Sequence, residues 1–356
     1  MTERVKRLLD SMRLGEHEGV VVYDPSNMFY LSGYTGEGLV LVARGISAII
    51  TDFRYTEQAQ AQAPGFEVLM TEKGKSHEDI AGALCASGGI DTLYYEDDFV
   101  TVHTFNALRE SVRGVEWKVV GSEIARLREI KDEDELALIR QACRITGEAF
   151  ERILPHIKEG VTEKELALRL DFDMMSHGAS KPSFSTIVAA GANGSLPHAV
   201  PGDRVIELGD MVTMDFGAKV DGYCADMTRT VAVGQPSEKM RKIYDIVLHA
   251  QETAQAAIAP GKVCRDIDAV ARDIISQEGY GECFGHSLGH GVGIDIHEEP
   301  RVSARSETVL LPGHVITVEP GIYVPGLGGV RIENSCVVTE TGVRALCSAS
   351  KELRIL

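Results

Sequence analysis

The 356 residues hold no apolar run long enough to cross a membrane as a helix, which takes about 18 or more. The N-terminal stretch MTERVKRLLDSMRLGEHEGVVVYD is charged throughout and has no apolar centre of the kind a secretory signal needs. Cysteine is scarce and poorly spaced for structural work: seven residues, an odd number, with no C-x-x-C pair. A disulfide scaffold and a zinc ribbon are therefore disfavoured, and a reducing, cytoplasmic setting is expected. Positive charge is also short. Lys and Arg number 36 against 53 Asp and Glu, a net charge of −17. Nucleic acids and anionic membranes select the opposite balance, so neither is expected as a partner. No glycine-rich phosphate loop follows any of the early apolar runs, which leaves a nucleotide site without its usual cradle.

What is present describes an ordinary soluble chain, 44% hydrophobic and 25% charged, and long enough for two domains. Residues 1–127 alternate β-rich runs (19–24, 39–43, 47–51) with helical patterns such as 76–87, the signature of an α/β layer. No chemistry is legible there, and a structural or oligomerising role is expected. The character changes at IKDEDELALIRQACRITGEAFERIL, where Asp132 and Glu135 form a capping box ahead of a helix apolar at 136, 139, 143, 150 and 153. Thr162 and Glu165 repeat the box, Ser237 opens a third helix, and a fourth covers about 266–278. These signals place the domain boundary near 125–131, giving domains of 1–127 and 128–356.

The second domain echoes itself. GDMVTMDFG (209–217) and GHVITVEPG (313–321) align with Gly209 on Gly313, Thr213 on Thr317, Asp215 on Glu319 and Gly217 on Gly321. Each copy follows two helical patterns, which suggests a duplicated unit of two helices and an antiparallel sheet. An acidic side chain inside an apolar strand is costly unless paired, hydrogen-bonded or bound to a metal. Asp215 and Asp226 flank one hairpin. A four-residue turn at Lys219–Gly222 would set them opposite each other. Glu319 and Glu333 flank PGIYVPGLGGVRI, where a loop over 324–328 would do the same. Opposed carboxylates about 5 Å apart repel, and a divalent cation removes the conflict. For either pair alone a salt-bridged or partly exposed carboxylate is the more ordinary explanation; four in repeated hairpins point to metal. Carboxylates with imidazole suit Mn²⁺, Co²⁺, Fe²⁺ or Zn²⁺, and four carboxylates exceed what one ion compensates, so two ions are expected. The nearby GHSLGHGVGIDIHEEP holds His286, His290 and His297. His286 stands four residues before His290, a spacing that suits a helical metal pair, but Gly285, Gly289, Gly291 and Gly293 argue against a helix.

With MDFGAKVDGYCADMTRT, SLGHGVG, VEPGIY and VRIEN in this order, the chain resembles the pita-bread-fold (creatinase/methionine aminopeptidase-like) metallopeptidases, and within them the Xaa-Pro dipeptidase (prolidase) and Xaa-Pro aminopeptidase group. The resemblance covers the whole chain. It implies an α+β architecture: a creatinase-type α/β N-terminal domain, then a pita-bread catalytic domain of pseudo-two-fold symmetry. Asp215 then chelates one metal, Asp226 and Glu333 bridge both, and His290 and Glu319 complete the other, with Mn²⁺ or Co²⁺ foremost. A hydroxide between the ions is the implied nucleophile, and Glu319 moves its proton to the leaving nitrogen. His198 and His297 match histidines that contact substrate or the tetrahedral intermediate. Arg331 matches an arginine behind the metals, and His286 falls on the pocket wall. Homodimers are common in the family.

Arg301, directly after HEEP, matches an arginine able to grip a substrate's C-terminal carboxylate, which favours a dipeptide. The implied substrates are short proline-containing peptides, with Xaa-Pro dipeptides ahead of the longer peptides of an aminopeptidase. Methionine aminopeptidases share the five ligands but usually lack the N-terminal domain. A creatinase-like amidinohydrolase and a metal-free pita-bread binding protein are the other readings, and neither calls for all five ligands to be kept.

Overall fold

The computed structural model describes residues 1–356 and divides into two units, Met1–Arg128 and Glu129–Leu356. In the first, Glu18–Val22, Leu39–Ala43 and Ile46–Thr51 pair antiparallel in the middle of a six-stranded sheet. Their near-complete burial explains why they read as unbroken apolar runs. Parallel strands extend the sheet on both sides: Glu67–Met70 beyond Ile46–Thr51, then Thr92–Tyr95 and Glu116–Val119 beyond Glu18–Val22. The helix His77–Gly88 starts at Ser76, with Asp79 closing a capping box, and packs Ala81 and Cys85 on the sheet core.

The second unit is a duplication, and it extends well beyond the two short strands that reveal it in the sequence. Asp132, Thr162 and Ser237 cap the helices Glu133–Ile153, Glu163–Ser176 and Glu238–Ala256 as expected, and Cys264–Gln277 is the fourth. The second helix of each half is tied to a returning loop by equivalent bonds. Glu163 N–H donates to Arg204 O at 3.1 Å and Cys264 N–H to Thr308 O at 2.9 Å. Ile206 N–H reaches Val161 O at 2.9 Å and Leu310 N–H reaches Lys262 O at 2.8 Å. The sheets correspond too. Ile187–Ala190, Met211–Phe216 and Met227–Ala232 form one; Gly289–Gly291, Val315–Val318 and Asn334–Val338 form the centre of the other, which Glu298–Val302 and Val343–Ala345 extend to five strands. Ala190 pairs with Val212 as Gly291 pairs with Ile316, and Val212 with Val231 as Ile316 with Cys336.

One register differs from the sequence expectation. The first hairpin turns on two residues, Asp221 and Gly222, both at positive φ (43° and 89°), with Val220 paired to Tyr223. Aspartate–glycine is the dipeptide that such a tight turn favours. The register therefore sets Asp215 against Thr228, not against Asp226. In the second hairpin Val324 pairs with Gly328, so the loop is shorter than expected, yet the pairs Val318–Asn334 and Gly321–Arg331 on either side keep the register that sets 319 against 333. No helix is long and apolar enough to cross a membrane, and all seven cysteines are unpaired.

Candidate metal centre

The four carboxylates reach one place from opposite halves of the duplication. Asp215 is the penultimate residue of the strand Met211–Phe216, and Asp226 lies just before Met227–Ala232. Glu319 follows Val315–Val318, and Glu333 precedes Asn334–Val338. The halves are stitched at the site itself: Glu333 N–H donates to Thr228 O at 3.1 Å, and Thr228 Oγ1 donates to Glu333 Oε2 at 2.6 Å. Asp215, Asp226, His290 and Glu319 line a common cavity of about 580 Å³. Ligand atoms of Asp226, His290 and Glu333 all lie within 4.8 Å of one another.

The tautomer of His290 follows from its neighbours. Nδ1 lies 3.0 Å from the carbonyl of Gly291, which can only accept, so Nδ1 carries the hydrogen. Nε2 is left facing the carboxylates, 3.2 Å from Glu319 and 3.6 Å from Asp226. A carbonyl behind one ring nitrogen that frees the other is the usual support for a metal-binding imidazole. His290 N–H is itself fixed by Thr317 Oγ1 at 3.0 Å, and Thr317 Oγ1 donates to Glu319 Oε1 at 3.1 Å.

Electrostatically the arrangement is unfinished. Burial raises the carboxyls of Asp226 and Glu333 well above their usual range, and neighbouring carboxylates raise them further. Burial also acts to raise Glu319, but the His290 hydrogen bond and charge outweigh it and bring it down to about 2. Asp215 Oδ1, Asp226 Oδ1 and Glu333 Oε1 are buried with no hydrogen-bond partner. Orphaned carboxylate oxygens are expensive in a protein interior. Bare oxygens of Asp226 and Glu333 clustered with the imidazole of His290, and that of Asp215 on the same cavity, form a donor set that fits divalent cations.

The other residues singled out in the sequence take distinct places. His198, His286, His297, Arg301 and Arg331 all line the same cavity. His297 packs edge-on against His290, with ring centroids 4.3 Å apart. Arg331 is buried and donates to Asp215 Oδ2 at 2.8 Å, so one oxygen of that carboxylate is spoken for and the other is bare. His286 holds its Nδ1 hydrogen against Ser287 O at 2.8 Å, leaving Nε2, 2.9 Å from Tyr323 Oη, to accept. Tyr323 accepts in turn from Arg331 Nη1 at 2.8 Å. Tyr323, Thr228 and Thr317 were not picked out from the sequence. A threonine is common in strands, and Thr228 acquires meaning only through the register that sets it against Asp215.

A model of the creatinase/prolidase N-terminal domain matches residues 4–130, and that of metallopeptidase family M24 matches 137–340. An Xaa-Pro dipeptidase of Pyrococcus furiosus is 40% identical over 357 residues, 99% of this chain and 100% of that protein. Among solved structures, an Xaa-Pro dipeptidase from Bacillus anthracis superposes with a TM-score of 0.95 at 42% identity, covering 99% of each chain. An X-Pro aminopeptidase from Thermotoga maritima gives 0.92 at 36%, covering 98% of this chain and 100% of the other. Duplicated sheets, convergent carboxylates and whole-length similarity lead to one conclusion: the chain belongs to metallopeptidase family M24, with a creatinase/prolidase N-terminal domain.

Proposed function

We propose that this peptidase hydrolyses the Xaa-Pro bond of dipeptides with two divalent ions, manganese or cobalt, held by Asp215, Asp226, His290, Glu319 and Glu333. The observation that carries the metal assignment is the set of bare, buried oxygens on Asp215, Asp226 and Glu333 beside the His290 imidazole, whose Nε2 faces the carboxylates. Bound there, the ions supply Lewis acidity toward the scissile carbonyl and bring the pKa of water toward neutrality.

The chain's own groups do the rest. Glu319, held ionised by His290, takes the proton of the attacking water and returns it to the proline nitrogen as the bond breaks. His297, whose pKa is lowered by burial and then by His290, is neutral and keeps a ring N–H to offer to the developing oxyanion; His198 faces the same space. Arg301 on the cavity wall pairs with the substrate's terminal carboxylate, which a dipeptide places one residue from the scissile bond. Arg331 holds Asp215 in place. We also place the enzyme in the cytoplasm, and as a homodimer, a mass that light scattering on the purified protein checks.

Turnover of Ala-Pro, Ala-Pro-Pro and Met-Ala-Ala after loading with Mn²⁺ or Co²⁺ tests the assignment. Cleavage of Ala-Pro is expected. Cleavage of Ala-Pro-Pro alone identifies an Xaa-Pro aminopeptidase, and a protein that neither retains nor responds to divalent metal is not this enzyme.

A further inference from the structure

The strand Glu298–Val302 carries Arg301, and His297 immediately precedes it. It is the edge of its sheet, paired on one side only, to Gly289–Gly291, and that pairing slips register between Gly289 and Gly291. An edge strand with a broken ladder is weakly specified by its backbone alone. At its first residue stands a nearly dry ion pair: Lys131 Nζ lies 3.0 Å from Glu298 Oε2, with side chains 1% and 6% exposed. Glu298 Oε1 accepts from Asp295 N–H at 3.0 Å, closing the loop that leads to His297. Gly293 makes room for this, since a Cβ there would collide with the Glu298 carboxylate. Lys131 is itself held by its backbone, whose N–H donates to Gly313 O at 3.0 Å, and by an Nζ bond to Glu129 O at 3.3 Å.

A buried ion pair is a poor way to gain stability, because desolvation of both charges consumes most of the attraction. What it supplies is a fixed position. We propose that Lys131 is a positioning residue for substrate binding: through Glu298 it fixes the edge strand and loop that present His297 and Arg301 to the cavity. This rests on the reading of Arg301 as the partner of the substrate carboxylate. Lys131 does not line the cavity, and its ammonium is held by Glu298 and the Glu129 carbonyl, so its effect falls on the strand and loop that carry His297 and Arg301 and not on metal.

The test uses the Mn²⁺-loaded enzyme. For Lys131→Met, KM for Ala-Pro is expected to rise and kcat to fall, so that kcat/KM drops roughly tenfold or more, with manganese content little changed and with Lys131→Arg restoring most of the loss. Amide exchange of residues 294–301 should accelerate in Lys131→Met while the sheet cores stay protected. If Lys131→Met does not fold, the double variant Lys131→Met/Glu298→Gln, which buries no lone charge, is read in the same way. Unchanged exchange over 294–301, or exchange raised equally throughout the unit, overturns the proposal. Failure of the Arg301 reading looks different: Arg301→Ala would then treat Ala-Pro and its C-terminal amide alike, and exchange alone decides the role of Lys131.

Discussion

At the scale of single residues, the centre is defined by what each polar atom lacks. Asp226 and Glu333 each bring a buried oxygen with no protein partner, so Asp226→Ala or Glu333→Ala should lose metal and activity together, as elemental analysis and turnover of the same sample would show. Glu319→Gln keeps a donor oxygen but cannot take a proton. It should retain part of its metal while kcat falls about 10²- to 10⁴-fold. His286 spends its ring nitrogens on Ser287 and Tyr323; His286→Ala should keep its metal, and loss of metal there would contradict the ligand assignment. Thr228→Val removes the 2.6 Å hydrogen bond that orients Glu333 and should weaken metal affinity about 10- to 100-fold, measured by competition with a chelator. The clustered carboxylates were legible as candidates because a carboxylate in a run such as MVTMDFG has no cheap explanation. Tyr323 and Thr228 were not, because a hydroxyl inside a strand is ordinary until its neighbour across the sheet is known.

At the scale of elements, hairpin geometry decides where those side chains go. The Asp221–Gly222 turn moved the register two places from the expected one, and the sequence did contain the signal, a DG dipeptide between apolar runs. What it did not reveal is how Asp215 and Asp226 still reach one cavity without facing each other. The strand breaks after Phe216 and the chain passes into a separate small sheet from Ala218, and at the break Gly217 lies so close to Ala225 O that no Cβ fits. Gly217→Ala should force the two segments apart and disturb both aspartates. The expected result is a protein that has lost manganese stoichiometry and melts earlier, seen by elemental analysis and calorimetry. Helix boundaries were far easier to read: Asp132, Thr162 and Ser237 each cap the helix their position announces, because a cap is a local interaction and a register is not.

At the scale of the molecule, the centre couples metal to the stability of the fold. Asp226 and Glu333 have carboxyls raised by burial and then by neighbouring charge, so the folded metal-free protein holds protons that the unfolded chain releases at ordinary carboxylate pKa values of about 4. Their contribution is complete below that pH and is lost as pH rises toward their folded values. The metal-free protein should therefore melt at lower temperature at about pH 8 than at about pH 5, and the gain in Tm from Mn²⁺ should be larger at the higher pH. A metal-free Tm that climbs over this range would contradict the assignment. The duplication has a further consequence. The Thr228–Glu333 bond joins positions 105 residues apart, and Glu333 belongs to the later half of the repeat. During synthesis, neither the first half nor a chain that stops short of the final hairpin contains the whole proposed ligand set. On the proposed ligand set, high-affinity metal capture should be a late event in maturation, and its time course after dilution from denaturant should report when the last long-range contacts close.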